Sequence, residues 1–371
     1  MPGDLELRNL RLRDYFSPRQ LDRSEDYERF FRIEFVVSQV ALVVALALYA
    51  WRGARFARES AAGRIGTGML LGMLGLAVGW LSQLPFRVVE VWWQRRYDIL
   101  DTGYVDALVD NWLVLGAEFL SICLALLIVM GFAGLFPRNW WLPAAPVFVA
   151  IGALLAFTLP YLGDTERLED SALRANARQL ARELDVEGIP VDVEEVSDET
   201  NAPNAYAYGL GPSRRIVLWD TLLEYPDDEV LVVVAHEFAH QSRDHIWKSL
   251  GWYALFAFPG TYLIARFTRR RGGMAEPAAV PLSLLVVVML SLAALPFENA
   301  ISRHMEREAD WVALDATEDP EAAQRLFRRF TRDALAQPDP PEWSSALLDS
   351  HPTIEERIAM AIAWQDRRRG P

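Results

Sequence analysis

Six long apolar stretches constrain the fold of this chain more than any other feature of its sequence. Each approaches or exceeds the roughly 20 residues that a helix needs to cross a bilayer. They run approximately over residues 33–51, 68–86, 112–136, 140–162, 250–267 and 280–297. The sequence therefore predicts a mainly α, polytopic helical membrane protein with about six transmembrane helices, a multi-pass protein of the cell membrane that contacts the lipid bilayer.

The polar segments around these stretches divide the chain into three predicted parts. Residues 1–32 form a charged N-terminal arm, and because the first apolar run begins only after it, we do not expect a cleaved signal peptide. Residues 33–162 form a four-helix transmembrane region, and residues 163–371 combine a small α+β unit with the last two predicted spans. Arginines flank the spans on both sides, so the positive-inside rule leaves the orientation open.

The composition limits the chemistry of the chain. Its formal net charge of -13 disfavours a nucleic-acid partner, because a phosphate backbone requires a concentrated basic surface. Cys123 is the single cysteine, so neither an intramolecular disulfide framework nor a cysteine-rich zinc site can form. A metal would have to be held by histidine and carboxylate side chains. The five histidines all lie in the C-terminal part: His236, His240, His245, His304 and His351.

Two of these histidines stand four residues apart in a segment that reads HEFAH. Pro226 and the carboxylates after it are typical of a helix start, which places the pair on a helix. On a helix, His236 and His240 share one face and can bind one tetrahedral ion, while Glu237 reaches a water molecule on that ion. This pattern is typical of zinc proteases, although a surface helix can also carry it by chance.

A catalytic zinc ion has three protein ligands and a water, so a further donor is required. Glu306 and Asp310 follow the last apolar run and lie on one helical face, which favours Glu306 as a ligand and Asp310 as the acceptor of a ligand imidazole N–H. His304 and Glu308 are rival donors, although they project from other faces and are equally typical of a solvated helix surface. For His245 we expect a polar network rather than ligation.

With these features the chain resembles the type I CAAX prenyl proteases, the membrane zinc endopeptidases related to yeast a-factor convertase. The segments that carry the resemblance, in chain order, are Leu84–Phe86, Asn204–Gly209, Arg215–Leu223, His236–His240, Glu306 with Asp310, and Ser350–Pro352. The resemblance implies a helical barrel around an intramembrane chamber and a gluzincin-like peptidase unit within residues 163–371. It also implies one Zn2+ per chain, held by His236, His240 and Glu306, with Glu237 as the general base.

The resemblance also assigns roles near the metal, each with a structural alternative. The resemblance assigns substrate binding to Asn204, Ala205 and Tyr206, on a strand whose free edge pairs with an extended peptide. The alternative is that these residues form a turn into an ordinary core strand. His351 would donate to the oxyanion of the reaction or simply begin a helix. Arg303 would hold a substrate carbonyl, pair with Asp310, or extend from a membrane boundary without a catalytic role.

Together these features predict an integral-membrane zinc metalloendopeptidase that acts on membrane-associated peptides or proteins, with Glu237, His351, Asp310 and Arg303 as its catalytic group. One alternative is a heat-shock-type quality-control protease with the same chemistry but misfolded membrane proteins as substrates. Another is a non-catalytic membrane scaffold or transporter with a protease fold, which the intact set of site residues disfavours. A composition rich in Ala and Arg is typical of bacteria, whereas prenylated proteins are mainly eukaryotic, so prenylation and oligomeric state stay open.

Overall fold

A computed structural model of the chain describes residues 7–58, 62–169 and 171–369. The first six residues of the predicted N-terminal arm lie outside this range. Within the described residues the chain forms eleven α-helices and one four-stranded sheet. The helices are α1 Pro18–Arg52, α2 Gly63–Arg96, α3 Tyr104–Leu135, α4 Trp141–Thr158, α5 Ser171–Glu183, α6 Asp227–Ser242, α7 His245–Thr268, α8 Val280–Thr317, α9 Pro320–Asp333, α10 Glu342–Leu348 and α11 Ile354–Arg369.

Five helices in the described part of the chain are long and apolar enough to cross a membrane, namely α1 to α4 and α8. They confirm five of the six predicted spans. The sixth, over 250–267, lies in α7, which has 24 residues and is therefore about 36 Å long, enough to span a bilayer. Lys248, Arg266, two glycines and two tyrosines interrupt the apolar residues of α7, which is not among the five candidate spans, so its membrane crossing stays a prediction.

The five membrane helices and α7 pack in a closed ring. Each helix contacts the next in the order α1, α2, α3, α4, α7, α8, and α8 contacts α1. One end of the ring is filled by an apolar cluster that includes Met130, Trp140 and Met274. A Cβ atom on Gly68 would overlap the end of the Met130 side chain, so a larger residue on α2 would force that side chain of α3 to move. A closed ring that is filled at one end is the architecture that the predicted intramembrane chamber requires.

The predicted α+β unit contains a sheet of strands β1 Glu166–Arg167, β2 Val191–Glu194, β3 Ala205–Tyr208 and β4 Arg215–Trp219. The strand order is β1-β2-β4-β3, and β3 pairs antiparallel with β4, so β3 lies at an edge. One face of the sheet, including Ile216 and Leu218, packs on α5 and on Phe238 of α6. This packing fixes the edge strand beside the helix that carries the histidine pair.

The N-terminal arm joins the C-terminal helices. Phe16 is buried together with Trp311 of α8, Leu326 of α9 and Trp364 of α11. The next residue, Ser17, caps α1 by accepting a hydrogen bond from the Gln20 backbone N–H. The start of the first membrane helix is thus anchored to the same core that supports the histidine-bearing helix. The division of the chain into three parts stays a prediction.

Candidate metal centre

Helix α6 carries the histidine pair into the interior. Its first turn holds Asp227, Asp228 and Glu229, and carboxylates stabilise the positive end of a helix dipole. One face of α6 packs along α8. His236 and Glu237 lie on the buried part of α6, with 6% and 7% of their surface exposed. This segment is therefore shielded from bulk water by the elements that pack around it.

Three candidate ligand atoms converge between α6 and α8. The Nε2 atoms of His236 and His240 are 3.1 Å apart. Glu306 Oε2 lies 3.0 Å from His236 Nε2, and Glu306 Oε1 lies 3.5 Å from His240 Nε2. Around a tetrahedral zinc ion with Zn–N distances of about 2.0–2.1 Å, ligand atoms are about 3.3 Å apart. The spacing of these atoms therefore fits zinc.

Two further features support a bound cation at this place. Glu306 Oε2 is buried and, although His236 Nε2 lies 3.0 Å away, makes no hydrogen bond of good geometry among the described residues, and metal coordination would satisfy it. Burial lowers the pKa of His236, but Asp310 and Glu306 outweigh this effect and raise it to about 10, so the pocket favours positive charge. Two histidines and one glutamate form one of the donor sets of catalytic zinc. The rival donor His304 is exposed and lies outside this group.

The carboxyl group of Glu237 lies beside these ligand candidates. Its side chain accepts a hydrogen bond from the backbone N–H of Ala207 on the edge strand. Burial raises the pKa of Glu237 above its usual value, whereas His236 and His240 lower it. A raised pKa makes the Glu237 carboxylate a stronger base, which suits a group that must accept and then release a proton.

His236 is braced by a carboxylate that is itself held by an arginine. Its Nδ1 atom lies 2.9 Å from Asp310 Oδ1, as the sequence predicted for Asp310. Arg357 of α11 donates to both oxygens of Asp310, over 2.9 and 2.6 Å. The sequence reasoning missed Arg357, because no spacing rule links α11 to α8.

The predicted pairing of Arg303 with Asp310 is wrong. Arg357 already occupies both carboxylate oxygens, and Arg303 instead donates to the backbone carbonyls of Ser345 and Asp349, over 2.7 and 2.6 Å. These contacts fasten α8 to the segment that leads into His351. Whether Arg303 contributes to catalysis through that segment stays a prediction.

His240 is braced differently, through a second histidine. His245 Nδ1 lies 3.0 Å from His240 Nδ1, and His245 Nε2 lies 3.3 Å from Glu308 Oε2. With His240 Nε2 directed at a metal, its Nδ1–H donates to His245, which in turn donates from Nε2–H to Glu308. Burial and the neighbouring His240 lower the pKa of His245 to about 4, which keeps this imidazole neutral. His245 thus lies in the expected polar network.

Glu308, which the sequence left as a rival donor or a surface residue, anchors this second brace. Lys248 Nζ and Arg243 Nε lie 3.6 and 3.7 Å from its carboxylate oxygens and balance its charge. Glu306, Glu308 and Asp310 follow one another at intervals of two residues along α8. Glu306 lies beside both candidate ligand histidines, Glu308 contacts His245, and Asp310 contacts His236.

Removal of the second brace is expected to weaken zinc binding. We expect His245→Ala to lower zinc affinity by about 10–100-fold, because His240 would lose the acceptor that fixes its tautomer and ring orientation. Competition with a chromophoric chelator measures this affinity directly. The matched control is His304→Ala, which removes an exposed histidine and should leave the affinity unchanged. Equal affinities of the two variants would show that His245 does not position His240.

The register of the sheet shows which backbone groups face the metal. Trp219 N–H donates to Asn204 C=O over 3.0 Å, so Asn204 and Tyr206 direct their backbone groups towards β4. The backbone groups of Ala205 and Ala207 then face the free edge. The Tyr206 hydroxyl donates to Glu194 over 3.0 Å and is already satisfied. Of the predicted substrate-binding residues, Ala205 has the expected orientation, and Ala207 was missed.

A cleft of about 400 Å³ opens on one side of the metal centre and includes Asn204, Ala205, Glu237 and His351 in its lining. His351 Nε2 lies 3.3 Å from Glu306 Oε2, and Ser350 Oγ lies 3.0 Å from His351 Nδ1. The His351 side chain is 56% exposed, so its ring can still contact a molecule in the cleft.

The ring of membrane helices and the buried histidine–glutamate group define a polytopic membrane protein with a metallopeptidase-type centre. A model of Peptidase family M48 matches residues 167–365, which is more than half of the chain and contains every candidate metal ligand. The chain belongs to peptidase family M48.

Three curated relatives match part of the chain. "Uncharacterized metalloprotease YhfN" of Bacillus subtilis is 35% identical over 240 residues, covering 60% of this chain and 56% of the relative. "CAAX prenyl protease 1 homolog" of Arabidopsis thaliana is 29% identical over 211 residues, covering 54% and 49%. "Protease HtpX homolog" of Methylibium petroleiphilum is 30% identical over 189 residues, covering 45% and 67%. The chain thus spans about half the length of the first two relatives.

The match to a solved structure extends over nearly the whole chain. The crystal structure of S. mikatae Ste24p aligns with a TM-score of 0.80 at 20% sequence identity, covering 96% of this chain and 92% of that one. This likeness confirms the predicted fold, a polytopic helical membrane protein with a small α+β unit.

Proposed function

We propose that this chain is an integral-membrane zinc metalloendopeptidase that hydrolyses peptide bonds in membrane-associated proteins or peptides. The observation that carries the proposal is the convergence of His236, His240 and Glu306 at tetrahedral spacing with the buried Glu237 beside them. One Zn2+ per chain fits this single group among the described residues. The names of the relatives, which include metalloproteases and prenyl proteases, support the same reaction class.

When bound, zinc supplies a Lewis acid that polarises the scissile carbonyl and lowers the pKa of a water molecule. Glu237 takes the proton of the attacking water and transfers it to the leaving amine. The Ala207 N–H holds the Glu237 carboxyl in place during this transfer. His351 donates from Nε2 to the carbonyl oxygen of the substrate as negative charge develops there.

Binding of the substrate would use the free edge of β3. An extended peptide adds to an exposed sheet edge by main-chain hydrogen bonds, here to the outward N–H and C=O of Ala205 and to the C=O of Ala207, whose N–H is used by Glu237. Asn204 lines the cleft at the end of this edge and is available to a substrate carbonyl. The ring of membrane helices next to the metal favours substrates that are themselves in or on the cell membrane.

A quality-control protease of the heat-shock type is the second candidate, supported by the likeness to a "Protease HtpX homolog". It would use the same residues on misfolded membrane proteins. A scaffold or transporter without catalysis is disfavoured, because Glu237, Asp310 and the ligand set are all present and assembled.

Removal of zinc tests the proposal. We expect purified protein in detergent to cleave membrane-associated peptides. Treatment with a strong chelator, followed by dialysis that removes the chelator and its bound metal, should abolish this activity. One equivalent of Zn2+ should restore it, whereas Mg2+ should not. Prenylated, unmodified and misfolded substrates compared in the same assay separate the two protease candidates. Cleavage that persists in zinc-free protein would contradict the proposed chemistry.

A further inference from the structure

The metal centre lies between two cavities that differ in polarity. The cleft that contains His351 has a mixed lining, in which apolar side chains alternate with polar ones such as Glu28, Asn204, Gln337 and Asp349. On the other side of Glu306 and His240, a second cavity of about 400 Å³ lies between α7 and α8. This second cavity, which we call the α7–α8 groove, is mainly apolar.

The α7–α8 groove is built from facing stripes of two antiparallel helices. Helix α7 contributes Ser249, Trp252 and Phe256 at helical spacing, and α8 contributes Ile301 and Met305 in the same way. Ser249 Oγ lies 3.9 Å from Met305 Sδ, which shows that the two stripes face each other near the metal end. Side chains of this kind bind apolar groups by excluding water rather than by specific hydrogen bonds.

The groove extends from the metal ligands along α7 towards the middle of that helix. Along α7, the distance from His245 beside the ligands to Phe256 is eleven residues, or about 16 Å at 1.5 Å per residue. An extended peptide advances about 3.3 Å per residue, so about five residues fit along this length. Trp252 is 42% exposed, so its indole ring offers free apolar surface.

The edge strand connects the two cavities. Asn204 and Ala205 line the cleft that contains His351, whereas Ala207 lines the α7–α8 groove, and Glu237 lies beside the strand between them. A peptide paired with this edge would therefore pass from one cavity to the other, with its scissile bond at the metal centre. One half would meet a mainly apolar surface and the other half a surface with more polar side chains.

We infer that this protein selects peptide bonds at the boundary between an apolar and a polar segment of the substrate. The apolar segment binds in the α7–α8 groove against Trp252, Phe256 and Met305, and the polar segment binds in the cleft near His351. This inference rests on the proposed peptidase function and specifies its substrate class. A membrane protein or membrane-bound peptide presents such a boundary where its chain leaves the bilayer.

Two tryptophans of α7 provide a matched test. Trp252 lines the groove, whereas Trp247 is 54% exposed and does not. The substrates are two peptides that share the residues around the scissile bond: one carries five apolar residues on one side, and the other is polar on both sides. Both orientations of the apolar segment are synthesised, and kcat/KM is measured for wild type and both variants.

We expect the wild type to prefer the peptide with the apolar segment in one orientation. Trp252→Ala should lower kcat/KM for that peptide by about tenfold or more, since a large apolar contact is lost, while Trp247→Ala should leave it unchanged. For the all-polar peptide, wild type, Trp252→Ala and Trp247→Ala should have equal kcat/KM. Ser249→Phe, which fills the groove from an exposed position near the metal, should reproduce the loss if Trp252→Ala folds poorly.

Equal kcat/KM values of the wild type for the two kinds of peptide, or equal losses in Trp252→Ala and Trp247→Ala, would overturn the inference while the peptidase function stands. Such equal values are expected if the groove binds only lipid and no part of the substrate. If wild-type protein with full zinc content cleaves none of the peptides, the proposed function fails together with this inference.

Discussion

Glu237→Gln is expected to lower kcat for peptide hydrolysis by about 10²–10⁴-fold, while the zinc content stays near one per chain. The amide has nearly the size and shape of the carboxylate but cannot accept the proton of the attacking water. Glu237 is outside the three-residue ligand group, so its replacement removes no metal donor. Peptide hydrolysis and elemental analysis of the same purified sample measure both quantities.

The matched control is Glu321→Gln on the exposed surface of α9, which makes the same chemical change away from the centre. It should retain full activity and full zinc content. Glu237→Gln protein with wild-type activity would mean that another group is the base. Loss of zinc in this variant would mean that Glu237 is a ligand rather than a base.

Glu306→Ala is expected to remove most of the bound zinc and, with it, the peptidase activity. Two neutral imidazoles and water would remain where three protein donors are needed to hold a catalytic zinc ion firmly. The missing carboxylate would also leave less negative charge to balance the divalent cation. Zinc per chain, measured after dialysis against metal-free buffer, gives the answer directly.

His304→Ala serves as the control for this experiment, because His304 lies two residues away on the same helix but is exposed. Its zinc content should equal that of the wild type. A thermal midpoint is recorded for both variants, so that metal loss through unfolding is recognised. Unchanged zinc content in folded Glu306→Ala protein would eliminate Glu306 as the third ligand.

The parts of the site that the sequence predicted depend on short-range helix geometry. The four-residue spacing of His236 and His240 determines that they share a face, whatever the remaining fold. The same rule relates Glu306 to Asp310. Hydropathy alone predicted the five confirmed spans, because a bilayer demands a minimum length of apolar helix.

The parts that the sequence did not predict depend on long-range packing. Arg357 reaches Asp310 across 47 residues, and only the packing of α11 on α8 brings them together. The contact between His245 and Glu308 likewise requires α7 to pack on α8. The sequence left Glu308 open between a rival donor and a residue of a solvated face, but that face of α8 meets α7, and the carboxylate side chain is only 29% exposed.

The substrate-facing strand illustrates the same limit. The family resemblance implied a strand at Asn204 to Tyr206, but neither it nor the sequence pattern determines which residues direct their backbone groups towards a neighbouring strand. Only the observed pairing with β4 assigns the outward positions to Ala205 and Ala207. The substrate role of this edge remains a proposal, with Ala207 added to it.

Anomalous scattering at the zinc absorption edge, from crystals of the purified protein, shows directly whether zinc binds at this site. We expect one strong peak per chain, located between His236 Nε2, His240 Nε2 and Glu306 at about 2.0–2.2 Å from each donor. A peak at another group, or the absence of a peak here in protein that cleaves peptides, would contradict it.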